Sequence, residues 1–382
     1  MKIGKILAVA AVATVFASCS NEEELANVGK SESNAIRFAG ISGLSDTRTT
    51  PIGTTNLTST NFDVMAFMSA DNALFMGGKH EAGHSDHGVK IVYNTGWNYE
   101  DKSQQAYWPT TGDVDFYAVS PAFTDELVYY SFAYDMTSDA KTITYATADE
   151  YKTGATNHDV MYAVAKGRNK ANNGTSPVQM KFKHILSQVV FKAKTTSSIL
   201  EVDVENVKIH NFVHGGTFTL PEGEPAEKEP TMSNWSTSPD EAVSIATVKL
   251  NAANVKTNNA VVDLSDMASP LMMIPQQLKK WSTYSAGTAV SKADADNAKE
   301  CYLEISMKLK QNDSYLIGSA AEYKTVYVPF DNGTGWEPGK RYIYTLIFGG
   351  GYDDQGEPIL SPITFNAATA DWVAAGTDVN IK

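Results

Sequence analysis

Cysteine is nearly absent from this chain of 382 residues, which contains only Cys19 and Cys301. If Cys19 is modified, no intramolecular disulfide can form, so stability has to come from the core and from hydrogen bonds. Cys301 opens a strand-like stretch without a base nearby in sequence, which argues against a nucleophilic role.

Basic charge is scarce too, because the chain has 31 Lys and Arg residues against 44 Asp and Glu residues, for a formal net charge of −13. Such a surface repels phosphate backbones, so nucleic acid is not an expected partner.

The apolar stretch near the start is too short to cross a membrane. It runs from Ile6 to Ala17, well under the roughly 18 to 20 residues that a spanning helix requires. Lys2 and Lys5 precede it, and a small residue, Ser18, stands directly before Cys19. This arrangement predicts a lipoprotein signal peptide over residues 1–18, with Cys19 as the lipidated new N-terminus. An ordinary secretory signal is the alternative.

Helical periodicity is also almost missing, whereas alternation with a period of two recurs along the chain. In Cys301 to Lys310, Leu303, Ile305 and Met307 share one face, as expected of a strand with one side on a core. The pattern predicts an all-β fold with too many strands for one sandwich. Comparable stretches are Phe62–Met68, Val114–Val119, Leu127–Tyr130, Thr142–Tyr145, Val160–Val164, Val178–Phe191, Val202–Ile209, Val243–Leu250, Thr325–Phe330 and Arg341–Phe348.

The chain length has room for two domains. A run of Gly, Asn and Lys interrupts the strands over residues 166–177, which predicts domains at 36–177 and 178–382, with a margin of about 15 residues. Residues 19–35 are polar and acidic, as is typical of a flexible tether.

Motifs for catalysis or metal binding are weak. His80, His84 and His87 form a ligand-like cluster, but glycines around them favour a solvated loop over a metal site. Asp113 and Asp115 share a strand face, and a solvated face is favoured over a catalytic pair. HExxH, GxSxG, P-loop and dinucleotide motifs do not occur. We therefore expect neither an enzyme nor a cofactor.

Two further groups have a structural and a functional interpretation. His184 lies on the apolar face of a strand, where a buried structural histidine is the favoured reading. The aromatic residues Trp97, Tyr99, Tyr107 and Trp108 are compatible with a sugar-stacking platform, although in a sandwich such residues more often cap the core.

A series of short motifs follows in a set order along the chain. They are Ala35-Ile36-Arg37-Phe38, Tyr107-Trp108-Pro109, Val114-Asp115-Phe116-Tyr117-Ala118, Pro121, Asp159-Val160-Met161-Tyr162-Ala163, Phe182-Lys183-His184-Ile185-Leu186-Ser187, Gly216-Thr217-Phe218, Leu271-Met272-Met273-Ile274-Pro275-Gln276 and Ile363-Thr364-Phe365. In the order of these motifs the chain resembles, over nearly all of its length, the fimbrillin family of the Mfa-like type, subunits of type V pili. The resemblance implies two transthyretin-like β-sandwich domains in tandem, export as a surface lipoprotein, and polymerisation by strand exchange after a trypsin-like protease removes the first strand.

The chain offers parts for such an exchange. The stretch Ala35 to Ile41 places Ile36 and Phe38 on one face, and Arg48 follows in a polar loop as the proposed processing site. An ordinary exposed arginine is the alternative for Arg48, and Arg37 is another basic site. A vacated groove could be filled by a strand from a neighbour. The donor-strand candidates in the C-terminal segment are Ile363, Phe365, Trp372, Val379 and Ile381.

These features predict a structural subunit of a surface pilus. The alternative is a tip adhesin or surface lipoprotein that binds host protein or glycan without polymerising, and stalk, tip and anchor positions all remain open. The expected partners are other fimbrillin subunits, together with a lipid anchor in the outer membrane. The acid run Glu22-Glu23-Glu24 resembles the tag that directs some lipoproteins of Bacteroidales to the outer cell surface, although a solvated tether would look the same.

Overall fold

The structure of the chain is a computed structural model that describes most of its residues. The described ranges are 32–42, 57–77, 88–122, 133–137, 139–146, 159–221, 228–237, 244–255, 260–267, 269–281, 292–349, 351–352, 358–359 and 364–371.

Strands dominate these ranges, and the three α-helices are short: α1 (Leu57–Thr60), α2 (Lys170–Asn173) and α3 (Lys292–Ala298). The strands of the first half are β1 (Phe38–Ser42), β2 (Phe62–Met68), β3 (Leu74–Met76), β4 (Val89–Tyr93), β5 (Trp97–Tyr99), β6 (Val114–Ser120), β7 (Ala133–Asp135), β8 (Thr142–Ala146), β9 (Met161–Arg168) and β10 (Val178–His184).

The second half continues in the same style, with 3₁₀ turns at Glu32–Asn34, Lys102–Gln104 and Met232–Asn234 along the whole chain. Its strands are β11 (Ser187–Thr195), β12 (Leu200–Phe212), β13 (Gly215–Thr219), β14 (Trp235–Thr237), β15 (Ser244–Thr247), β16 (Asn254–Val255), β17 (Val262–Asp263), β18 (Leu271–Met273), β19 (Tyr302–Gln311), β20 (Ser314–Ile317), β21 (Lys324–Pro329), β22 (Lys340–Phe348), β23 (Gly351–Tyr352), β24 (Pro358–Ile359) and β25 (Thr364–Asp371).

Four larger sheets carry the fold, and β23 and β24 pair separately. Sheet I has the order β1-β10-β9-β6-β2-β4-β5, with β3 on β2, and sheet II has the order β14-β13-β8-β7. Sheet III has the order β17-β11-β22-β25, with β18 on β11. Sheet IV has the order β15-β12-β19-β20, with β16 on β12 and β21 on β19. The all-β prediction is confirmed.

Sheet I is buried on both faces. In β2, Phe62, Val64 and Ala66 belong to one apolar cluster, whereas Met65 and Phe67 belong to another. The first cluster lies within the curl of sheet I, whose edge strands β1 and β5 approach each other. The second lies between sheets I and II, because it also contains residues of β8, β13 and β14. Alternate residues of one strand therefore serve two cores.

Sheets III and IV form a sandwich around a third core. It joins Phe191 and Tyr344 of sheet III to Leu303 and Ile305 of sheet IV, with Trp336 fully buried beside them. The two sets of side chains alternate inward along each strand, as in other two-sheet packings.

The chain passes from sheet I to sheet III between His184 and Ser187. This change of sheet lies within the margin of about 15 residues given for the predicted boundary at residue 178, and β10 pairs with β9 and β1. The chain later returns to the first half, where β13 pairs with β8. The predicted continuous strand Val178–Phe191 is divided in the structure at Ile185 and Leu186, and α3 is a helix that the strand pattern did not predict.

Candidate functional site

The first strand, β1, forms one edge of sheet I and runs parallel to β10. Phe38 lies opposite Val178, and the register continues to Ser42 opposite Phe182. The N–H of Val178 donates to the carbonyl of Arg37 at 2.7 Å. The residues of β1 therefore form a hydrogen-bonded ladder on one side only, with β10.

The residues just before β1 are fixed by the segment around residue 107. Ile36 N–H donates to the Ala106 carbonyl at 2.9 Å, and Trp108 N–H donates to the Asn34 carbonyl at 3.0 Å. The Asn34 side chain returns a hydrogen bond to the Trp108 carbonyl at 3.1 Å. These hydrogen bonds hold the residues before β1 against residues 106–108.

Two large side chains anchor β1 in the core. Ile36 has no exposed surface and Phe38 is buried. The Phe38 ring contacts Phe116 and Tyr99 at centroid distances of 5.5 and 5.9 Å. The Tyr99 hydroxyl donates to the Ile36 carbonyl at 3.1 Å, and burial raises the pKa of Tyr99, so this donor stays protonated. At about 1.5–3 kcal/mol each, burial of the two side chains stabilises β1 substantially.

Gly40 is the next inward position after Ile36 and Phe38, and this position accepts only a very small residue. A Cβ built on Gly40 would lie 3.0 Å from Trp97, 3.1 Å from Phe62 and 3.2 Å from Leu57, in each case a side-chain atom. The site of β1 therefore takes residues in the order large, large, small at alternate positions.

At the other end of the chain, β25 forms an edge of sheet III. It pairs antiparallel with β22, and Phe365 lies opposite Leu346. The remaining donor candidates, Ile363, Trp372, Val379 and Ile381, lie outside the described residues, as do Cys19 and Arg48.

The polar residues considered for chemistry fall into two groups. His80, His84 and His87 lie outside the described residues. Within the described ranges, no group of three or more His, Cys, Asp or Glu side chains is placed to hold a metal ion. Asp113 and Asp115 hold the turn before α2 in place. The Asp113 carboxylate accepts from Asn169 at 2.5 Å, and the Asp115 carboxylate accepts from Gly167 N–H at 2.8 Å and from Ser69 at 2.6 Å.

His184 is buried, as expected, and a carboxylate lies beside it. Its Nδ1 lies 2.9 Å from Asp159 Oδ2, and the Asp159 side chain has no exposed surface. Cys301 is also fully buried, and burial raises the pKa of its thiol. Neither residue is placed to meet a substrate.

The four aromatic residues divide between core and surface. Trp108 and Tyr99 are buried, whereas Trp97 and Tyr107 are partly exposed. Trp108 packs edge-on against Phe116 at 6.0 Å. The core interpretation holds for Trp108, while Trp97 and Tyr99 border an open cavity.

A polar cluster under α3 was missed by sequence reasoning. Asp296 accepts hydrogen bonds from Tyr302 at 2.8 Å and Asn211 at 3.1 Å, and pairs with Lys292 at 2.8 Å. Burial alone would raise the pKa of Asp296, but these three donors lower it. They fasten α3 to the outer face of sheet IV. The Lys292–Asp296 spacing of four residues was the one available sequence signal.

Comparisons with known proteins bear on most of the chain. A family model described as fimbrillin-like matches residues 47–372. No curated protein matches the sequence. Among solved structures, a candidate cell adhesion protein from Bacteroides uniformis is 12% identical, with a TM-score of 0.43, over 89% of this chain and 98% of its own.

Two further structures are similar in extent. A candidate cell adhesion protein from Bacteroides ovatus is 14% identical, with a TM-score of 0.43, over 90% of this chain and 98% of its own. The tip fimbrial protein Mfa3 from Porphyromonas gingivalis, with a C-terminal truncation, is 9% identical, with a TM-score of 0.34, over 82% of this chain and 94% of its own. In the described part of the chain, no helix has both the length and the apolar character needed to cross a membrane.

Proposed function

From the premise that this chain belongs to the fimbrillin-like family, we propose that it is a structural subunit of a surface pilus. It is exported as a lipoprotein anchored through Cys19 in the outer membrane, and it assembles with other fimbrillin subunits by protease-triggered strand exchange. The observation that supports this proposal best is β1. This strand is an edge strand and pairs with β10, and Phe38 together with the preceding Ile36 enters the core.

The release step uses the segment of the sequence after β1. Arg48 follows Ser42, the last residue of β1, by six positions. Cleavage there separates β1 and its lipid tether from the rest of the chain. Loss of β1 exposes the edge of β10 and the sites of Ile36 and Phe38, which a strand from a neighbouring subunit fills by β-augmentation.

The donor candidates differ in what their release would cost. Phe365 belongs to β25, so its use as a donor would break the pairing with β22. Trp372, Val379 and Ile381 follow β25 and leave sheet III intact. We therefore favour residues 372–382 as the donor, although Ile363, Phe365 and Ala367 repeat the large, large, small order of β1.

Trypsin treatment of the mature chain tests the mechanism. Cleaved wild-type protein should form oligomers that resist mild denaturant. Arg48→Ala should block both cleavage and assembly, while a chain ending at Asp371 should be cleaved but stay monomeric. If the shortened chain forms oligomers, β25 is the donor strand instead. Cleaved wild-type protein that keeps its fold and remains monomeric would contradict the pilus-subunit mechanism.

The lipid anchor has its own test. Cys19→Ala should leave the precursor unlipidated and free of the membrane fraction, as measured by detergent partitioning, because Cys19 is the proposed attachment point. Ser18→Ala is the matched control, since it keeps a small residue before the cysteine. Unchanged membrane retention of Cys19→Ala would contradict the lipoprotein assignment.

The second candidate function is a tip adhesin or surface lipoprotein that binds host protein or glycan without polymerising. The cavity beside β1 favours it, because this cavity is a ligand-sized feature that a purely structural subunit does not need.

A further inference from the structure

A cavity of about 440 Å³ opens between β1 and β5, the two edge strands of sheet I. Its volume lies within the roughly 300–1,000 Å³ of typical small-molecule sites. The residues that matter for recognition are Arg37, Trp97, Asn98, Tyr99, Lys102 and Gln105.

The gap between the two strands is too narrow for an additional strand. The Tyr99 hydroxyl bridges it to the Ile36 carbonyl at 3.1 Å, and Gly40 lies directly against Trp97. A strand inserted between two others needs about 4.8 Å on each side. The cavity therefore suits a compact ligand rather than an extended peptide.

The aromatic side of the cavity is held in place by its neighbours. The Trp97 ring packs against Phe62 at 4.8 Å and against Tyr93 at 5.3 Å, and Tyr99 packs against Phe38. Asn98 is fixed as well, because its Nδ2 donates to the Gly96 carbonyl at 2.7 Å. Rigid aromatic and amide groups reduce the entropy lost on binding.

Two cationic side chains lie in the described lining of the cavity. Arg37 and Lys102 line it, and its described lining contains no carboxylate, although the chain has a net charge of −13. The acids beside Lys102 in sequence are already engaged: Glu100 pairs with Lys90 at 2.9 Å, and Asp101 accepts from Ser103 N–H at 2.8 Å. An anionic group is therefore favoured in the cavity.

We propose that this cavity binds a carboxylated sugar, a uronic or sialic acid residue of a glycan, in the intact chain. Arg37 and Lys102 bind the carboxylate, Trp97 and Tyr99 contact the apolar face of the ring, and the amides of Asn98 and Gln105 bind hydroxyl groups. Because β1 supplies one wall, the site exists only while β1 is in place. The inference goes beyond pilus assembly and does not require strand exchange.

Calorimetric titration of the intact mature chain tests the site. The probes are a hyaluronan tetrasaccharide, which carries glucuronate, and sialyllactose, with lactose as the neutral control. One of the two acidic probes should bind at least tenfold more tightly than lactose. The probe that does so shows whether the cavity prefers a uronic acid or a sialic acid. Lys102→Gln and Arg37→Gln should each weaken binding about tenfold or more. Lys170→Gln, on an exposed lysine of α2, should leave it unchanged.

Three results would overturn the proposal. The first is that neither acidic probe binds more tightly than lactose, and the second is that both cavity variants bind as well as wild type. The third is that a tetraglutamate peptide binds more tightly than both sugars, which would assign the cavity to an acidic protein segment. Both variants change exposed side chains, so a fold check by circular dichroism should show them unaltered.

Discussion

Two pairs of parallel strands in the described part of the chain differ in how they are supported. The pair β1–β10 has a register of five residues, and β1 is an edge strand. The pair β11–β22 has a register of eight residues and lies inside sheet III, where β25 flanks β22 and β17 and β18 flank β11. Parallel pairing therefore occurs once at the edge of a sheet and once in the interior of another.

The difference is one of local stability. The central pair contributes Phe191 and Tyr344 to a core that joins two sheets, and Trp336 Nε1 donates to the Tyr344 hydroxyl at 2.9 Å. Among the described side chains at the edge pair, Phe38 of β1 and the preceding Ile36 are the large ones that enter the core. Opening of β1 therefore exposes less apolar surface than opening of β11, and β1 should open without unfolding of the whole chain.

Removal of a ring from the central pair should have the largest effect. Phe191→Ala should lower the free energy of unfolding by about 3–5 kcal/mol, because it leaves a cavity between sheets III and IV. Denaturant unfolding measures this change. Ile199→Ala, at a side chain that is 43% exposed, is the control and should stay within about 0.5 kcal/mol of wild type. If Phe191→Ala lowers the free energy of unfolding by less than about 1 kcal/mol, the central pair is not more strongly supported than the edge pair.

The equivalent change in the edge pair should cost less globally. Phe38→Ala removes contacts with Phe116 and Tyr99, but the loss is limited by the free energy needed to open β1 locally. Hydrogen exchange should speed up in β1, and the amides of β11 should lose less protection than they lose in Phe191→Ala. A loss of β11 protection as large as in Phe191→Ala would mean that β1 and the central pair unfold as one unit.

A smaller effect is expected at the third position of β1. Gly40→Val places side-chain atoms against Trp97, Phe62 and Leu57, and overpacking of this kind costs about 1–3 kcal/mol. Release of the first strand after proteolysis should become faster. Gly96→Ala is the control, since a Cβ there meets no atom within 4 Å. An unchanged release rate for Gly40→Val would show that the site of β1 does not select by size.

The smallest effect concerns pH and separates the two regions. His210 stacks on Tyr302 at 4.6 Å, and its Nε2 lies 2.9 Å from Glu304, with Lys292, Asp296 and Lys208 nearby. Burial lowers the pKa of His210 below its ordinary value of 6.5 despite the attraction of Glu304. The unfolded chain therefore takes up a proton first as the pH falls through about 6.5, and the folded state loses stability.

Denaturant unfolding between pH 7 and pH 5 measures this dependence. His210→Gln should lose less stability over that range than wild type, whereas exchange protection of β1 should not differ between the two proteins. Lys170→Gln should keep the wild-type slope. A steeper slope for His210→Gln would contradict the assignment of the acid sensitivity to this histidine.

Much of the strand pattern could be predicted from alternation, because most strands have one face on a core. Phe62–Met68 was predicted with the bounds that the structure has, although both faces of this strand are buried. The division of 178–191 could not be predicted, since Ile185 and Leu186 are both buried where the chain changes sheets and the apolar pattern continues through them. The helix α3 buries only Ala295, so it carries no amphipathic signal.

The candidate site was predictable to a similar degree. The shared face of Ile36 and Phe38 follows from their spacing of two, and both are buried. The small third position at Gly40 and the cavity lined by Trp97, Tyr99 and Lys102 depend on residues distant in sequence. Only the curl of sheet I brings β1 and β5 together, and no local pattern encodes that curl.

Sheet II has a consequence for the order in which the molecule can be made. Its strands come from residues 133–146 and 215–237, so the first half cannot cover one face of sheet I until residue 237 is available. Sheet I is complete at His184, so during synthesis Tyr117, Tyr162 and Val164 would stay uncovered while residues 185–237 are added. Such delayed, long-range closure slows folding and leaves apolar surface open to aggregation.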